Sequence, residues 1–207
     1  MWATISILLA FVIVRLVNVA FTISTRKSVL VEDDEHLVAA TKSGDPLVVV
    51  CGPAGSGKTR LFHALLNPNI HPTKIHTVKS LIHLEARLQS IRLVDCSSHL
   101  DSTKLLTAAQ RIVLVVDSTR PVKDAATILW SLKCTPFSLL VVCTKADLPR
   151  AKNPSRLKLQ LKQEMERIRK TCDSSELIVD LTEVQFLTNE NLDLLREWIT
   201  TGVKHCE

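Results

Sequence analysis

Three short runs of the chain, Leu47 to Cys51, Ile112 to Asp117 and Leu139 to Cys143, are apolar almost throughout and end in polar or turn-forming residues. Runs of that length without alternation predict strands buried on both faces, as in a parallel sheet covered by helices. Between them the period changes. Arg60 to Leu66 and Val122 to Leu132 read as helices, and Ser155 to Cys172 as a longer one, with Leu157, Leu161, Met165 and Ile168 at helical spacing. Leu81 to Leu88 alternates in part and is followed after a short turn by Ile91 to Asp95, which predicts a hairpin. Val184 to Leu187 reads as a last strand. Asn191 to Thr201 reads as a closing helix, with Leu192, Leu195, Trp198 and Ile199 on one face. Buried strands alternating with helices predict a three-layer α/β domain with a mostly parallel sheet over residues 46–207. Such sheets bind ligands at the carboxyl ends of their strands.

The chain before residue 46 has a different pattern. Trp2 to Ile23 is apolar apart from Arg15, Asn18 and a few small residues. As a helix it would span roughly 30 Å, the thickness of a bilayer core. Its thirteen Leu, Ile, Val and Phe residues favour insertion. Together they contribute on the order of 4 to 8 kcal/mol, against about 3 kcal/mol for one central Arg. Arg15 lies past the midpoint and can snorkel. A cleaved signal peptide would want charge before the apolar run and small residues at a cleavage site. Here Arg26 and Lys27 follow the run, and Val19-Ala20-Phe21 is a poor site. Residues 1–25 are therefore expected to form an uncleaved single-pass anchor, with the bulk of the chain in the cytosol. A buried core helix is the other alternative. Residues 26–45, with Glu32-Asp33-Asp34-Glu35 and the turn chemistry of Ser43-Gly44-Asp45-Pro46, read as a connector.

Composition changes this picture little. A net charge of +5 over 207 residues is too small to argue nucleic acid, and no direct DNA binding is expected. It suits an anionic membrane face equally well. The six cysteines form no Cys-x-x-Cys pair, so no zinc or thioredoxin-type motif is visible, and they read as free thiols.

The chemistry begins after the first buried strand. Gly52-Pro53-Ala54-Gly55-Ser56-Gly57-Lys58-Thr59 is a Walker A loop between a strand and a helix. Its backbone N–H groups cradle phosphates, Lys58 reaches the β- and γ-phosphates, and the Thr59 hydroxyl binds Mg²⁺. Asp95 ends a strand, where a second Mg²⁺-holding carboxylate belongs, although a solvated strand-end Asp is the plainer reading. Asp117 also ends a strand, but Asp-Ser-Thr-Arg-Pro is good turn chemistry and is read as a turn. Thr144-Lys145-Ala146-Asp147 follows another buried strand. Here the sequence resembles the Ras-like GTPases, whose base-recognition motif is Asn/Thr-Lys-x-Asp. A carboxylate at Asp147 accepts from both guanine N1–H and the 2-amino group, which adenine cannot reproduce. The Lys145 stem would lie along the base.

Within that superfamily the chain resembles the signal recognition particle receptor beta subunit family. The resemblance rests on the N-terminal apolar segment with its short connector, on Gly-Ser-Gly-Lys-Thr-Arg-Leu-Phe (55–62), on Leu-Val-Asp-Cys-Ser-Ser-His (93–99), on Val-Val-Asp-Ser (115–118) and on Leu-Arg-Glu-Trp-Ile (195–199). It implies a GTP-binding receptor subunit with Mg²⁺, anchored in the endoplasmic reticulum membrane with its domain in the cytosol. The implied partner is the receptor's alpha subunit. The implied process is co-translational targeting, with ribosome and signal recognition particle engaged indirectly. The family pattern Asp-x-Pro-Gly-His is here Asp95-Cys96-Ser97-Ser98-His99. Ser98 stands where a Gly offers its N–H to the γ-phosphate, and His99 where many GTPases place the Gln that orients water. The resemblance implies weak intrinsic hydrolysis. The switch threonine is Thr73 by position, with Thr77 as the alternative. The usual Ser-Ala-Lys segment that backs the base is not recognisable, and Asn189 after the last strand is the candidate to replace it. Two other classes stay open: a trafficking GTPase of the Arf and Sar kind, and a pseudo-GTPase membrane tether.

One feature is left over. Between Arg150 and Lys170 the chain carries eight basic side chains, which on a helix read as a solvated face or as a contact for anionic lipid or ribosomal RNA.

Overall fold

The computed structural model describes residues 29–31, 45–67, 83–98, 102–132, 138–172, 179–182 and 184–201. In chain order the strands are β1 (Val29–Val31), β2 (Leu47–Cys51), β3 (His83–Leu88), β4 (Ile91–Asp95), β5 (Arg111–Asp117), β6 (Ser138–Thr144) and β7 (Gln185–Thr188). The helices are α1 (Lys58–Leu66), α2 (Thr103–Ala108), α3 (Lys123–Ser131), α4 (Pro154–Thr171) and α5 (Leu192–Thr201). They form one seven-stranded sheet in the order β1-β3-β4-β2-β5-β6-β7. The five strands from β4 to β7 run parallel, and β3 and β1 add an antiparallel edge. This is the α/β domain expected, with its mostly parallel sheet.

Alternation along each buried strand sends neighbouring side chains to opposite faces, and the two faces have separate cores. Val49, Val94, Leu114 and Val141 pack with Leu105 of α2, Leu129 of α3 and Leu157, Leu161 and Met165 of α4. Val48, Val50, Val113 and Val142 pack with Phe62 and Leu65 of α1 and with Leu195, Trp198 and Ile199 of α5. A strand covered on both sides has no face for polar residues, which is why β2 and the middle of β5 and β6 read as unbroken apolar runs. Helix α4 starts at a strong local signal. Asn153 caps it by accepting from the Arg156 N–H at 2.8 Å, and Pro154 occupies the first turn.

Two elements differ from expectation. Val29–Val31 lies in the segment read as a connector, yet it pairs with β3 in the sheet, Leu30 opposite Leu84. Helix α2 follows directly on the loop after β4 and has no counterpart in the periodicity. It is six residues long, under two turns, and too short for a repeat to declare itself. Among the described residues no helix is long and apolar enough to cross a membrane. The expected anchor over residues 1–25, together with Thr73, Thr77 and His99, lies outside the described residues.

Candidate functional site

Strand β2 is where the chain order reverses, with β4 on one side and β5 on the other. A crevice opens at the carboxyl end of such a strand, and there the loop Gly52–Gly57 turns into α1. Gly57 is the residue before the helix, at φ 95°, a left-handed conformation that costs a glycine nothing. Its carbonyl accepts the Leu61 N–H at 2.9 Å. Helix α1 has no side-chain cap and no acidic residue in its first turn, so its N-terminal N–H groups are directed at the crevice.

Lys58 is buried and folds back over the loop, donating to the carbonyls of Gly52 at 2.8 Å and Pro53 at 3.0 Å. Burial holds its pKa below the usual lysine value, against the pull of Asp95. The Thr59 hydroxyl donates to Asp95 Oδ2 at 2.6 Å. Burial pushes the Asp95 carboxyl up to about 6, opposed by the Thr59 hydrogen bond and the Lys58 charge. The other oxygen, Asp95 Oδ1, is buried with no hydrogen-bond partner. A buried acceptor left unmade is costly, and an all-oxygen pair of this kind is the donor set that a hard divalent cation takes. The two residues therefore fit Mg²⁺.

Across the loop from that pair lies a cavity of about 200 Å³ lined by Gly57, Arg60, Thr144, Lys145, Asp147, Asn189 and neighbouring apolar side chains. The structure thus brings Asp147 and Asn189 to one cavity from two different strand ends. Asn189 is set by its N–H, which donates to the Cys143 carbonyl at 3.1 Å. Its Oδ1 is buried without a partner. Thr144 ties the cavity to the phosphate loop, its hydroxyl donating to the Ser56 carbonyl at 2.6 Å. Lys145, at φ 57°, does the same from the other side. Its ammonium donates to the Gly55 carbonyl at 3.0 Å and to Asp117 Oδ2 at 2.5 Å, which lays its stem along the cavity wall.

Asp117 was read as a turn residue, and in part it is one. Its Oδ1 accepts from the Thr119 N–H at 2.9 Å and the Thr119 hydroxyl at 2.6 Å. Its other oxygen anchors Lys145, which the turn chemistry gave no sign of, because that partner is 28 positions away. Burial pushes the Asp117 carboxyl up, but the hydrogen bonds from Lys145 and Thr119 outweigh it and hold the group below the ordinary carboxylate range. A depressed native pKa means the stabilisation is complete at neutral pH and is lost only as acid takes the solution down through that native value. Asp117→Ala is expected to cost about 1.5 to 3 kcal/mol, roughly tenfold or more in nucleotide affinity, because the freed Lys145 no longer holds Gly55 and the cavity wall together. Titration with a fluorescent guanine nucleotide measures it, and affinity within twofold of the parent would remove Asp117 from the site.

Ser98 sits on the far side of the phosphate loop. It lines a second cavity of about 460 Å³ with Gly52, Pro53, Ala54 and residues of α2 and α3. The segment leading to it is pinned at Ser97, whose N–H donates to Nδ1 of the buried His83 at 3.1 Å. That link joins the β3 strand to the loop after Asp95, and no motif marked it in the sequence.

The comparisons with known proteins agree on one family. Residues 43–198 match the family described as signal recognition particle receptor beta subunit. The signal recognition particle receptor subunit beta of Mus musculus is 32% identical over 159 residues, covering 67% of this chain and 58% of the mouse protein. The protein of the same description from Saccharomyces cerevisiae is 28% identical over 183 residues, covering 79% of this chain and 73% of its own length. The chain therefore spans little more than half of its mouse relative. A solved structure of the mammalian SRP receptor superposes with a TM-score of 0.62 at 25% identity, over 76% of this chain and all of that one.

Proposed function

The chain belongs to the signal recognition particle receptor beta subunit family, and from that premise we propose that it binds GTP with Mg²⁺ and uses the GTP-bound surface to hold the receptor's alpha subunit at the endoplasmic reticulum membrane during co-translational targeting. The observation that carries the nucleotide part is the arrangement along one crevice. The phosphate loop stands in the middle, the Thr59–Asp95 oxygen pair on one side and the Asp147–Asn189 cavity on the other.

In this reading the N–H groups of Gly52 to Thr59 and the Lys58 ammonium take the phosphates. Thr59 and Asp95 hold the cation, which neutralises phosphate charge when bound. Asp147 accepts from guanine N1–H and the 2-amino group. The buried Asn189 Oδ1, with no partner of its own, is placed to accept from a donor on the base or to order a bridging water. Lys145, held by Asp117, covers one face of the base. The segment 95–103 beyond the His83 clamp, and the segment around 71–78 that carries Thr73 and Thr77, would order on the γ-phosphate and form the partner surface. Ser98 supplies a backbone N–H there but no glycine freedom, so hydrolysis assisted by His99 is expected to be slow. The single-pass anchor over residues 1–25 completes the reading.

The test is what the purified full chain carries. Nucleotide is extracted from protein prepared in detergent without added nucleotide, and identified by chromatography for the parent and for Lys58→Ala. Uncleaved GTP in the parent and none in the variant is the expected result. GDP alone would favour the trafficking enzyme. A parent that carries nothing and binds no added GTP would leave only the tether.

A further inference from the structure

The positive charge of this protein is local. Residues 150–170 hold eight basic and two acidic side chains, whereas the whole chain carries a net +5, so the rest of it is slightly acidic. Helix α4 sorts these charges by face. Its inner face, Leu157, Leu161 and Met165, is buried in the core. Lys158 is turned to the fold as well, donating to the Thr182 carbonyl at 3.0 Å and lying 5.6 Å from the Phe186 ring. The outer face carries Arg156, Leu159, Lys162, Arg167 and Lys170, with Gln163 and Glu166 between them. Leu159 is 57% exposed, the most exposed of the large apolar side chains among the described residues. It shares a shallow surface depression with Lys162, Gln163, Glu166, Arg167 and Lys170. The acidic groups nearby are already paired: Glu166 with Arg169 at 2.8 Å, Glu164 with Arg167 at 2.7 Å.

We propose that this outer face of α4 docks on an anionic lipid surface, with Leu159 entering the headgroup boundary and Arg156, Lys162, Arg167 and Lys170 around it meeting lipid phosphate and carboxylate groups. Charge complementarity selects an anionic partner. The exposed Leu159 selects lipid over RNA, because an apolar side chain gains by entering an acyl boundary and gains nothing from a sugar–phosphate backbone. The face also has no aromatic side chain on which a base could stack. The aliphatic stems of Lys162, Arg167 and Lys170 line the depression, as basic side chains do when stems lie in an interface and charges reach the headgroups.

Lysine acetylation read by mass spectrometry tests this on the full chain reconstituted in vesicles. Vesicles of phosphatidylcholine alone are compared with vesicles containing phosphatidylserine, and Lys123 on α3 serves as the internal reference. Lys162 and Lys170 are expected to be protected about fivefold or more on the anionic vesicles, since each basic contact near such a surface is worth about that factor. High salt should abolish the protection. The triple variant Lys162→Glu, Arg167→Glu, Lys170→Glu should keep its guanine-nucleotide binding, which certifies the fold. It should also lose the protection of Arg156-side peptides against trypsin that anionic vesicles give the parent. Equal acetylation on both kinds of vesicle would overturn the proposal, as would protection by added structured RNA with none from phosphatidylserine.

Discussion

Asp147→Asn is expected to lower GTP affinity on the order of 100- to 1,000-fold and to turn the site toward xanthine. The substitution keeps the size of the side chain and exchanges one acceptor oxygen for an N–H donor. Guanine presents two donors to that edge, N1–H and the 2-amino group, so one of them would then face another donor. Two charge-assisted hydrogen bonds are weakened together, each worth about 1.5 to 3 kcal/mol. Xanthine carries a 2-carbonyl where guanine carries the amino group, and the new amide donates to it. The surroundings of Asp147 favour a clean exchange, because the side chain lines the cavity with Asn189 and Lys145 without an ion pair of its own among the printed contacts of the cavity wall. Competition of GTP, XTP and ATP against a fluorescent guanine nucleotide decides it. A variant that still prefers GTP over XTP would mean that the cavity does not read the base through Asp147.

Gly52→Ala should damage the fold itself. A Cβ on Gly52 would lie 2.3 Å from the Val115 carbonyl oxygen and 3.2 Å from the Ser56 hydroxyl. The carbonyl cannot give way, since β5 is held between β2 and β6 over its whole length. The φ of 148° adds strain for any side chain. Overpacking against backbone costs about 1 to 3 kcal/mol, and the strained conformation a similar amount. The sum is a large part of the roughly 5 to 15 kcal/mol by which domains are stable. Gly55→Ala is the contrast. Its Cβ would meet only the Arg120 guanidinium at 3.2 Å, the movable end of a half-exposed side chain, so only the left-handed φ of 73° is penalised, at roughly 1 to 2 kcal/mol. Urea midpoints of the two variants separate the causes. Equal losses would show that the approach of β2 to the Val115 carbonyl is not the constraint.

These two sites were legible in the sequence for different reasons. The Walker loop declares itself because the spacing of its glycines, Lys58 and Thr59 is a local property, set by how a backbone wraps one phosphate group. Asp147 needed its context, a buried strand immediately before it, for a four-residue motif to carry weight. Asn189 could be named only by its place after the last strand, and the structure sets it on the same cavity as Asp147 because β6 and β7 are neighbours in register, Cys143 opposite Thr188. Asp117 shows the opposite case. Its neighbourhood was read correctly as a turn, and the Thr119 hydrogen bonds form that turn. Its bond to Lys145 depends on β5 and β6 pairing with Asp117 opposite Thr144, which no local pattern announces.

The sequence by itself determined the alternation of buried strands and amphipathic helices, the order of the main elements and the position of the phosphate loop. Each of these follows from short-range periodicity and turn chemistry, which act over a few residues. Only the tertiary structure decided that Val29–Val31 joins the sheet edge, that the six-residue α2 forms, that His83 holds the loop after Asp95, and that Asp117 anchors Lys145. In each of those cases the stabilising partner lies far along the chain, and an isolated segment of three to six residues is too short to hold its conformation without it.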